Sequence, residues 1–214
     1  MIPRLSIELV FPDPSTATKE GIVAYGGDLS PSRLMMAYRN GIFPWFSEGD
    51  PILWWSPNPR FILELDEFKI SKSLKKSIKK YEVRFNSAFD EVVKNCSTTP
   101  RANQRGTWIT ASMAEAYSEL HSLGHAMSVE SYFDGELVGG LYGVVVGQIF
   151  CGESMFSHRS DASKVALAKL VEYLKSRDFA FIDAQVYTPH LASLGAKEID
   201  RNIFLERLKS SIYS

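Results

Sequence analysis

Residues 126–157, AMSVESYFDGELVGGLYGVVVGQIFCGESMFS, decide the fold, because three apolar runs in this stretch are separated by two short turns. Asp134–Gly135 and Gly147–Gln148 are dipeptides typical of tight turns between antiparallel strands. The stretch therefore predicts an antiparallel meander of three strands. An amphipathic helix over about 161–176 and an apolar strand over 179–186 follow it. Together these elements predict an α+β fold with a mixed, largely antiparallel sheet flanked by helices.

Upstream of the meander, two segments differ from the rest of the chain in composition. Residues 1–62 are rich in proline, glycine and tryptophan and contain one clear helix, which Ser30 caps and Gly41 ends. We interpret them as a small N-terminal domain. Residues 63–85 are predicted to form a basic helical linker, and a second, larger domain is predicted to span 86–214.

Composition excludes several classes of protein. The chain has 214 residues, of which 45% are hydrophobic and 23% charged, so it can bury a core of its own. The formal net charge of −1 does not favour nucleic-acid binding by the whole surface, and such binding requires a local patch. Cys96 and Cys151 are far apart and predict neither a disulfide nor a metal site. The longest uncharged stretch, 137–151, is shorter than the ~20 residues of a membrane helix, so we expect a cytoplasmic protein.

A local basic patch is present in the predicted linker. Its helical stripe of apolar residues is surrounded by lysines with no acidic residue among them, at positions Lys69, Lys72, Lys75, Lys76, Lys79 and Lys80. A solvated helix face is one interpretation of this pattern. The other is contact with a polyanion, because the phosphates of a nucleic-acid backbone require only well-placed positive charge.

The tryptophans allow two interpretations. Trp45, Trp54 and Trp55 lie close together in an irregular loop, and Trp108 lies in a second loop. They are either the core of the N-terminal domain or a platform on which a nucleic-acid base stacks. Trp45 and Trp108 are the better candidates for stacking, and one of the adjacent Trp54 and Trp55 is expected to be buried.

Polar residues in two apolar strands are the candidates for chemistry. Glu153 lies among apolar and small residues at the end of a strand, either exposed there or facing a pocket that receives a cation. Asp183 and Gln185 lie two residues apart on one face of the strand FIDAQV, which predicts an interior polar patch. This patch is either a structural hydrogen-bonded pair or a catalytic one, in which a carboxylate orients an amide or accepts a proton.

Metal and nucleotide chemistry have little support in the sequence. His121 and His125 are four residues apart, but Gly124 is expected to end their helix and no carboxylate completes a set of ligands. The phosphate-binding and dinucleotide-binding glycine motifs do not occur.

Seven specific strings occur in order along the chain, namely GGDLSP (26–31), GIFPWFSEGDPILWWSPNPR (41–60), GTWIT (106–110), ELVGGLYGV (136–144), FCGESMFS (150–157), IDAQV (182–186) and ASLGAKEI (192–199). From about residue 11 to 208 the chain resembles the bacterial leucyl/phenylalanyl-tRNA–protein transferases. The resemblance implies transfer of Leu or Phe, and less well Met, from Leu-tRNA, Phe-tRNA or Met-tRNA to proteins with N-terminal Arg or Lys. The modified protein is implied to be degraded through the N-degron pathway. The chain itself is expected to have no membrane partner.

The resemblance also implies a GNAT-like catalytic domain, preceded by a small N-terminal domain. The glycine-rich loop with which GNAT enzymes bind coenzyme A is replaced here by SHRSDASKVAL (157–167). We therefore expect no coenzyme A, no metal and no other cofactor. The alternatives are a CoA-dependent N-acyltransferase of the GNAT type and a non-catalytic RNA-binding adaptor. The adaptor leaves Glu153, Asp183 and Gln185 without a purpose.

Roles for individual residues follow from the same resemblance. Trp45 and Trp108 would stack around the terminal adenosine of the tRNA, and Glu153 would pair with the cationic side chain of the acceptor. Asp183 and Gln185 would lie at the reacting centre, where Asp183 is either a proton acceptor or an orienting group.

Two further groups of residues complete the expected site. The apolar pocket for the Leu or Phe side chain is expected to be lined by Leu141, Phe150, Met155, Leu170 and Leu174. The tRNA body is expected to contact Lys72, Lys75, Lys76 and Lys79.

Overall fold

The computed structural model describes residues 1–99 and 109–213. The strands are β1 (Arg4–Leu5), β2 (Ile22–Gly26), β3 (Phe43–Pro44), β4 (Leu53–Trp55), β5 (Arg60–Glu64), β6 (Glu82–Phe85), β7 (Ala126–Phe133), β8 (Glu136–Val146), β9 (Ile149–Ser157), β10 (Phe181–Gln185) and β11 (Lys197–Ile199). The helices are α1 (Pro31–Arg39), α2 (Lys72–Ile78), α3 (Phe89–Thr98), α4 (Ala111–Ser122), α5 (Ala162–Lys175), α6 (Pro189–Ser193) and α7 (Arg201–Tyr213).

The main sheet has seven strands in the order β11-β5-β10-β9-β8-β7-β6. Neighbouring strands are antiparallel except β9 and β10, which are parallel. The predicted meander is confirmed, and its turns have the positive φ angles that tight hairpins require, with φ of 52° at Asp134 and 84° at Gly135. The α+β class and the mixed, largely antiparallel sheet are therefore as expected.

A smaller sheet forms the N-terminal part, with the strand order β1-β2-β4-β3. The predicted boundaries of α1 are confirmed: the side chain of Ser30 accepts the backbone N–H of Arg33, and Gly41 has φ of 71° just after the helix. Trp54 is fully buried in this part, and its indole N–H donates to the carbonyl of Gly26 at 2.8 Å. One of the two adjacent tryptophans is thus buried, as the sequence indicates.

The predicted boundary between residues 62 and 63 is wrong. It falls inside β5 (Arg60–Glu64), which pairs with β10 and β11 within the main sheet. The segment 63–85 is likewise not a helical linker, because it contains part of β5, the short helix α2 (Lys72–Ile78) and the edge strand β6 (Glu82–Phe85). The short apolar run at 61–63 carries too little periodicity to be separated from the loop before it.

The two faces of the main sheet are covered by different helices, so the domain has one hydrophobic core on each side of the sheet. Helix α5 packs on one face, and α3 and α4 pack on the other. The pairing of β9 with β10 ends at Cys151 and Asp183, although β9 continues to Ser157. Beyond this point the two parallel strands leave a gap in the sheet. Among residues 1–99 and 109–213, no helix is both long enough and apolar enough to cross a bilayer.

Candidate active site

A cavity of about 410 Å³ lies where β9 and β10 stop pairing. Its walls come from β5, β8, β9, β10, α5 and α6, together with the segment Phe43–Trp45 of the N-terminal part. The end of the sheet pairing thus produces a space that reaches both the apolar core and a set of polar side chains. Such a mixed cavity is typical of a small-molecule or acyl-group site.

One wall of the cavity is apolar, as the sequence predicts. Four of the five predicted pocket residues line it, namely Leu141, Phe150, Met155 and Leu170. Sequence reasoning missed further apolar members, namely Leu63, Leu167, Ile182 and Leu191. Leu174 was predicted wrongly: it is buried in the same core but lies one helical turn beyond Leu170, past the end of the cavity wall.

The polar side of the cavity is organised around Glu153 on β9. Its Oε1 accepts hydrogen bonds from the hydroxyl of Tyr38 at 2.7 Å and from Nε2 of Gln185 at 2.8 Å. Its Oε2 accepts the hydroxyl of Tyr117 at 2.8 Å. Burial raises the pKa of Glu153 to about 7, against the lowering effect of these three donors, and the nearby charge of Asp183 raises it further. Glu153 therefore titrates near neutral pH.

Tyr38 and Tyr117 are site residues that sequence reasoning missed. Tyr38 lies on α1 and Tyr117 on α4, both are buried, and their hydroxyls are 2.6 Å apart. Burial, and then the charge of Glu153, raise the pKa of both phenols well above the ordinary value, so both stay protonated donors. In the sequence each tyrosine occupies an apolar position of an amphipathic helix, and such a position carries no signal of a polar partner.

Gln185 is aimed at Glu153 by an unusual backbone. Its φ of 66° lies in the left-handed region, and the N–H of Val186 donates to the carbonyl of Ala184 at 2.8 Å across it. The pairing of β10 with β5 is irregular at the same place. This tight turn ends the strand and brings the amide of Gln185 to the cavity wall. A strained residue of this kind is common where a side chain must be held in one orientation.

Asp183 lies behind the cavity wall and not on it. It is 1% exposed, and its two carboxylate oxygens accept from Nε and Nη2 of Arg60 at 2.8 and 2.6 Å. Oδ1 also accepts the backbone N–H of Gln185 at 3.0 Å. The predicted interior polar patch is confirmed as a hydrogen-bonded group. Of the two roles left open for Asp183, this geometry favours the orienting one, because both oxygens are already engaged.

Of the two tryptophans that are predicted to stack on a base, the structure describes Trp45. Trp45 lines the cavity, is 38% exposed, and its ring centroid lies 5.4 Å from that of Trp55. The indole N–H of Trp55 donates to the carbonyl of Trp45 at 2.6 Å, which fixes the backbone of the cavity wall. Trp108 lies outside the described residues.

The predicted tRNA-binding lysines form an exposed surface. Lys72, Lys75, Lys76 and Lys79 are all exposed on or beside α2, whose Leu74 is buried against the body of the domain. No ion pair joins any of these four lysines to a residue that the structure describes. Their charge is therefore available to an external partner.

The histidines do not form a metal centre. His121 stacks on Phe89 with ring centroids 4.2 Å apart, and α4 ends at Ser122, before Gly124, as predicted. Across residues 1–99 and 109–213, no three His, Cys, Asp or Glu side chains gather as ligands of one ion. That the chain works without metal or coenzyme A stays a prediction.

Comparison with known proteins gives a consistent result over almost the whole chain. Residues 62–209 match the family model described as leucyl/phenylalanyl-tRNA protein transferase, and residues 27–58 match that of the N-terminal domain of the same family. A leucyl/phenylalanyl-tRNA–protein transferase of Sulfurimonas denitrificans is 62% identical over 209 residues, which are 97% of this chain and 92% of that protein. One of Flavobacterium johnsoniae is 54% identical over 205 residues, covering 95% and 97%.

Solved structures give weaker likenesses. The chain is similar to a GCN5-related glucosamine N-acetyltransferase region of a fungal β-N-acetylglucosaminidase, with a TM-score of 0.45 and 10% identity over 83% of this chain and 23% of that one. It is also similar to L-PGS from Bacillus licheniformis, with a TM-score of 0.43 and 14% identity over 86% and 59%.

Proposed function

The chain belongs to the leucyl/phenylalanyl-tRNA–protein transferase family, which consists of aminoacyltransferases, and on this premise we propose its substrates and the roles of its residues. The donors are Leu-tRNA and Phe-tRNA, with Met-tRNA used less well. The acceptors are proteins with N-terminal Arg or Lys, which the new residue marks for the N-degron pathway. The proposal includes a cytoplasmic location, where aminoacyl-tRNA is made.

The observation that carries the proposal is the meeting of an apolar wall and a partly buried carboxylate in one cavity. Leu141, Phe150 and Leu170 offer the side-chain slot, and Glu153 and Gln185 lie on the wall of the same space. An aminoacyl ester needs the first surface, and a basic N-terminus needs the second. A cavity of about 410 Å³ has the size of a site for one small organic group.

The chemistry is the aminolysis of an ester. The acceptor nitrogen attacks the ester carbonyl carbon, a C–N bond forms, and the bond from that carbon to the ribose oxygen breaks. The amine loses one proton and the ribose oxygen gains one. Because the ester is already activated, the chain has only to align the two reactants and to stabilise the charge that develops. We accordingly propose that no cofactor takes part.

Glu153 is proposed to receive the cationic side chain of the acceptor. Its carboxylate already accepts three hydrogen bonds, yet burial still raises its pKa to about 7. An arriving guanidinium or ammonium group compensates the cost of the buried charge and favours the ionised form. Gln185, held on the same carboxylate at 2.8 Å, lies next to the place where the amine must stand.

On the donor side, Trp45 is proposed to stack with the terminal adenosine, together with Trp108. Trp45 combines 38% exposure with a position on the cavity wall. The exposed lysines of α2 are proposed to hold the tRNA body.

The alternative of a CoA-dependent N-acyltransferase meets a physical obstacle at the start of α5. Asp161 is the N-cap residue of that helix, and its carboxylate accepts from Ser77 at 2.9 Å and Lys164 at 3.2 Å. An acidic side chain at a helix N-terminus opposes the binding of a pyrophosphate there. No observation favours this function over aminoacyl transfer.

The direct test is transfer of labelled Phe from Phe-tRNA to a peptide that begins with Arg. We expect a peptide product whose formation stops when the tRNA is digested with RNase before the enzyme is added. Formation of an acetylated peptide from acetyl-CoA, or binding of tRNA with no peptide product at all, would contradict the proposal. A peptide that begins with Gly is the matched acceptor control.

The apolar slot should set the preference among donors. Replacing Leu141 by Ala enlarges the slot, so the ratio of kcat/KM for Phe-tRNA to that for Leu-tRNA should rise by about tenfold, within the range that one small apolar change allows. Leu174→Ala is the matched control, because Leu174 is buried in the same core but does not line the cavity. It should lower stability and leave the ratio unchanged; an equal change of ratio in both variants would contradict the assignment.

A further inference from the structure

One buried cation, Arg60, binds groups that lie behind two walls of the candidate site. Arg60 on β5 is 1% exposed, and all three of its guanidinium nitrogens donate hydrogen bonds. Two of them reach the carboxylate of Asp183, and the third, Nη1, reaches the carbonyl of Gly41 at 3.1 Å. The guanidinium therefore joins strand β10 to the segment that follows α1.

The surroundings of Arg60 are otherwise apolar. Its guanidinium carbon lies 4.9 Å from the ring centroid of Phe43 and 4.4 Å from that of Phe204. Charge in such surroundings is stable only when it is matched and its donors are used. The planar fork of Arg fits the two carboxylate oxygens of Asp183, and the single ammonium of Lys cannot reproduce that geometry.

On the side of β10, Arg60 is linked to Gln185 through the carboxylate of Asp183. Oδ1 of Asp183, which accepts from Nε of Arg60, also accepts the backbone N–H of Gln185 at 3.0 Å. That N–H belongs to the residue with φ of 66°, whose side chain reaches Glu153 at 2.8 Å. Fixing the carboxylate of Asp183 thus fixes the turn that aims Gln185.

On the side of the N-terminal part, Arg60 binds the segment that leads into the Phe43–Trp45 wall of the cavity. Gly41 is followed by Phe43, Pro44 and Trp45, which all line the cavity. Arg60 holds the carbonyl of Gly41 and the ring of Phe43 together. The wall proposed to stack with the adenosine and the strand that carries Gln185 are therefore tied to one side chain.

We propose that Arg60 is a positioning residue of the transfer reaction, which keeps Gln185 and the Phe43–Trp45 wall in register. The inference rests on the proposed function. Arg60 does not line the cavity that the two substrates are proposed to occupy. Its loss should therefore slow the chemical step and leave substrate binding nearly intact, since a displacement of about 1 Å in a reacting geometry costs about 100-fold in rate.

The test is Arg60→Lys, which keeps the charge and removes the fork. We expect kcat per folded molecule to fall by about 10- to 100-fold, while KM for Phe-tRNA and for the Arg peptide changes by less than about threefold. The matched control is Arg33→Lys. Arg33 is also fully buried and bound to a carboxylate, that of Asp28, and to backbone carbonyls, but it lies away from the cavity. Its kcat per folded molecule should stay within about twofold.

A second variant covers the case in which Arg60→Lys does not fold. The double variant Arg60→Met with Asp183→Asn removes both buried charges at once and keeps an amide oxygen that can accept the N–H of Gln185. It should fold and bind tRNA, yet remain at least about tenfold slower than wild type. A wild-type kcat in either variant, or an equal loss in Arg60→Lys and Arg33→Lys, would overturn the inference. If the wild-type chain itself makes no product, the proposed function fails, and this inference fails with it.

Discussion

Replacing Glu153 by Gln should lower kcat/KM for a peptide that begins with Arg by about 30-fold or more, because removing one partner of a desolvated charge pair costs about 2–5 kcal/mol. The substitution keeps the size of the side chain and lets the hydrogen bonds to Tyr38 and Gln185 reverse their direction. The measurement is the initial rate of transfer from Phe-tRNA as a function of peptide concentration.

A neutral acceptor isolates the charge pair from other effects. A peptide that begins with citrulline has the shape of the Arg peptide without its charge, so wild type should use it about as poorly as the Gln variant uses the Arg peptide. If Glu153→Gln slows both peptides by the same factor, Glu153 does not recognise the cation.

The pH dependence gives a second signature of the same residue. Because the pKa of Glu153 is raised to about 7, the carboxylate form becomes the majority as pH rises through that value, and the wild-type rate should rise with it. The α-amine of the acceptor, with an ordinary pKa of about 7.7–8, adds a second rise. The Gln variant should keep only the second rise, and an unchanged profile would contradict the assignment.

Loss of stability cannot account for the expected effect at high pH. A carboxyl whose pKa is about 7 in the folded state and 4.5 in the unfolded chain stabilises the fold fully below the lower value, and this contribution is lost as pH rises through the higher one. Ionised Glu153 therefore opposes folding at pH 8. We expect Glu153→Gln to have a Tm at pH 8 at least equal to that of wild type, measured by thermal unfolding.

Replacing Lys72, Lys75, Lys76 and Lys79 together by Gln should weaken tRNA binding and flatten its salt dependence. Each lysine that neutralises a phosphate contributes about 0.7–0.9 to the slope of log K against log salt, so the slope should decrease by about three. Gln is as good a helix former as Lys, so α2 should persist. The measurement is the Kd for Phe-tRNA at several salt concentrations.

The control for this variant uses lysines whose charge is already paired. Lys169, Lys175 and Lys197 each lie within 2.7 Å of a carboxylate oxygen, those of Glu172, Asp66 and Glu67. Replacing these three by Gln should change the salt slope by much less per charge removed. An unchanged slope in the α2 variant, or an equal change per charge in the control, would exclude α2 from the tRNA-binding surface.

The sequence by itself determined the elements that depend on neighbours along the chain. The meander follows from Asp134–Gly135 and Gly147–Gln148, and α1 follows from Ser30 and Gly41, because turns and helix ends are set by backbone preferences within a few residues. The specific strings of the family, such as FCGESMFS, carried the functional assignment, and the apolar pocket residues were an expectation from the same resemblance.

Only the tertiary structure decided how the polar side chains are joined. Tyr38, Tyr117 and Gln185 reach Glu153 from three elements, across sequence separations of 115, 36 and 32 residues. The pairing of Arg60 with Asp183 spans 123 residues and places a carboxylate behind the wall where the sequence allowed a proton acceptor. The periodicity of the sequence does not indicate such contacts, because a buried tyrosine or arginine gains its partner only when distant elements pack together. The free energy of that pairing therefore depends on the folded core and not on neighbours along the chain.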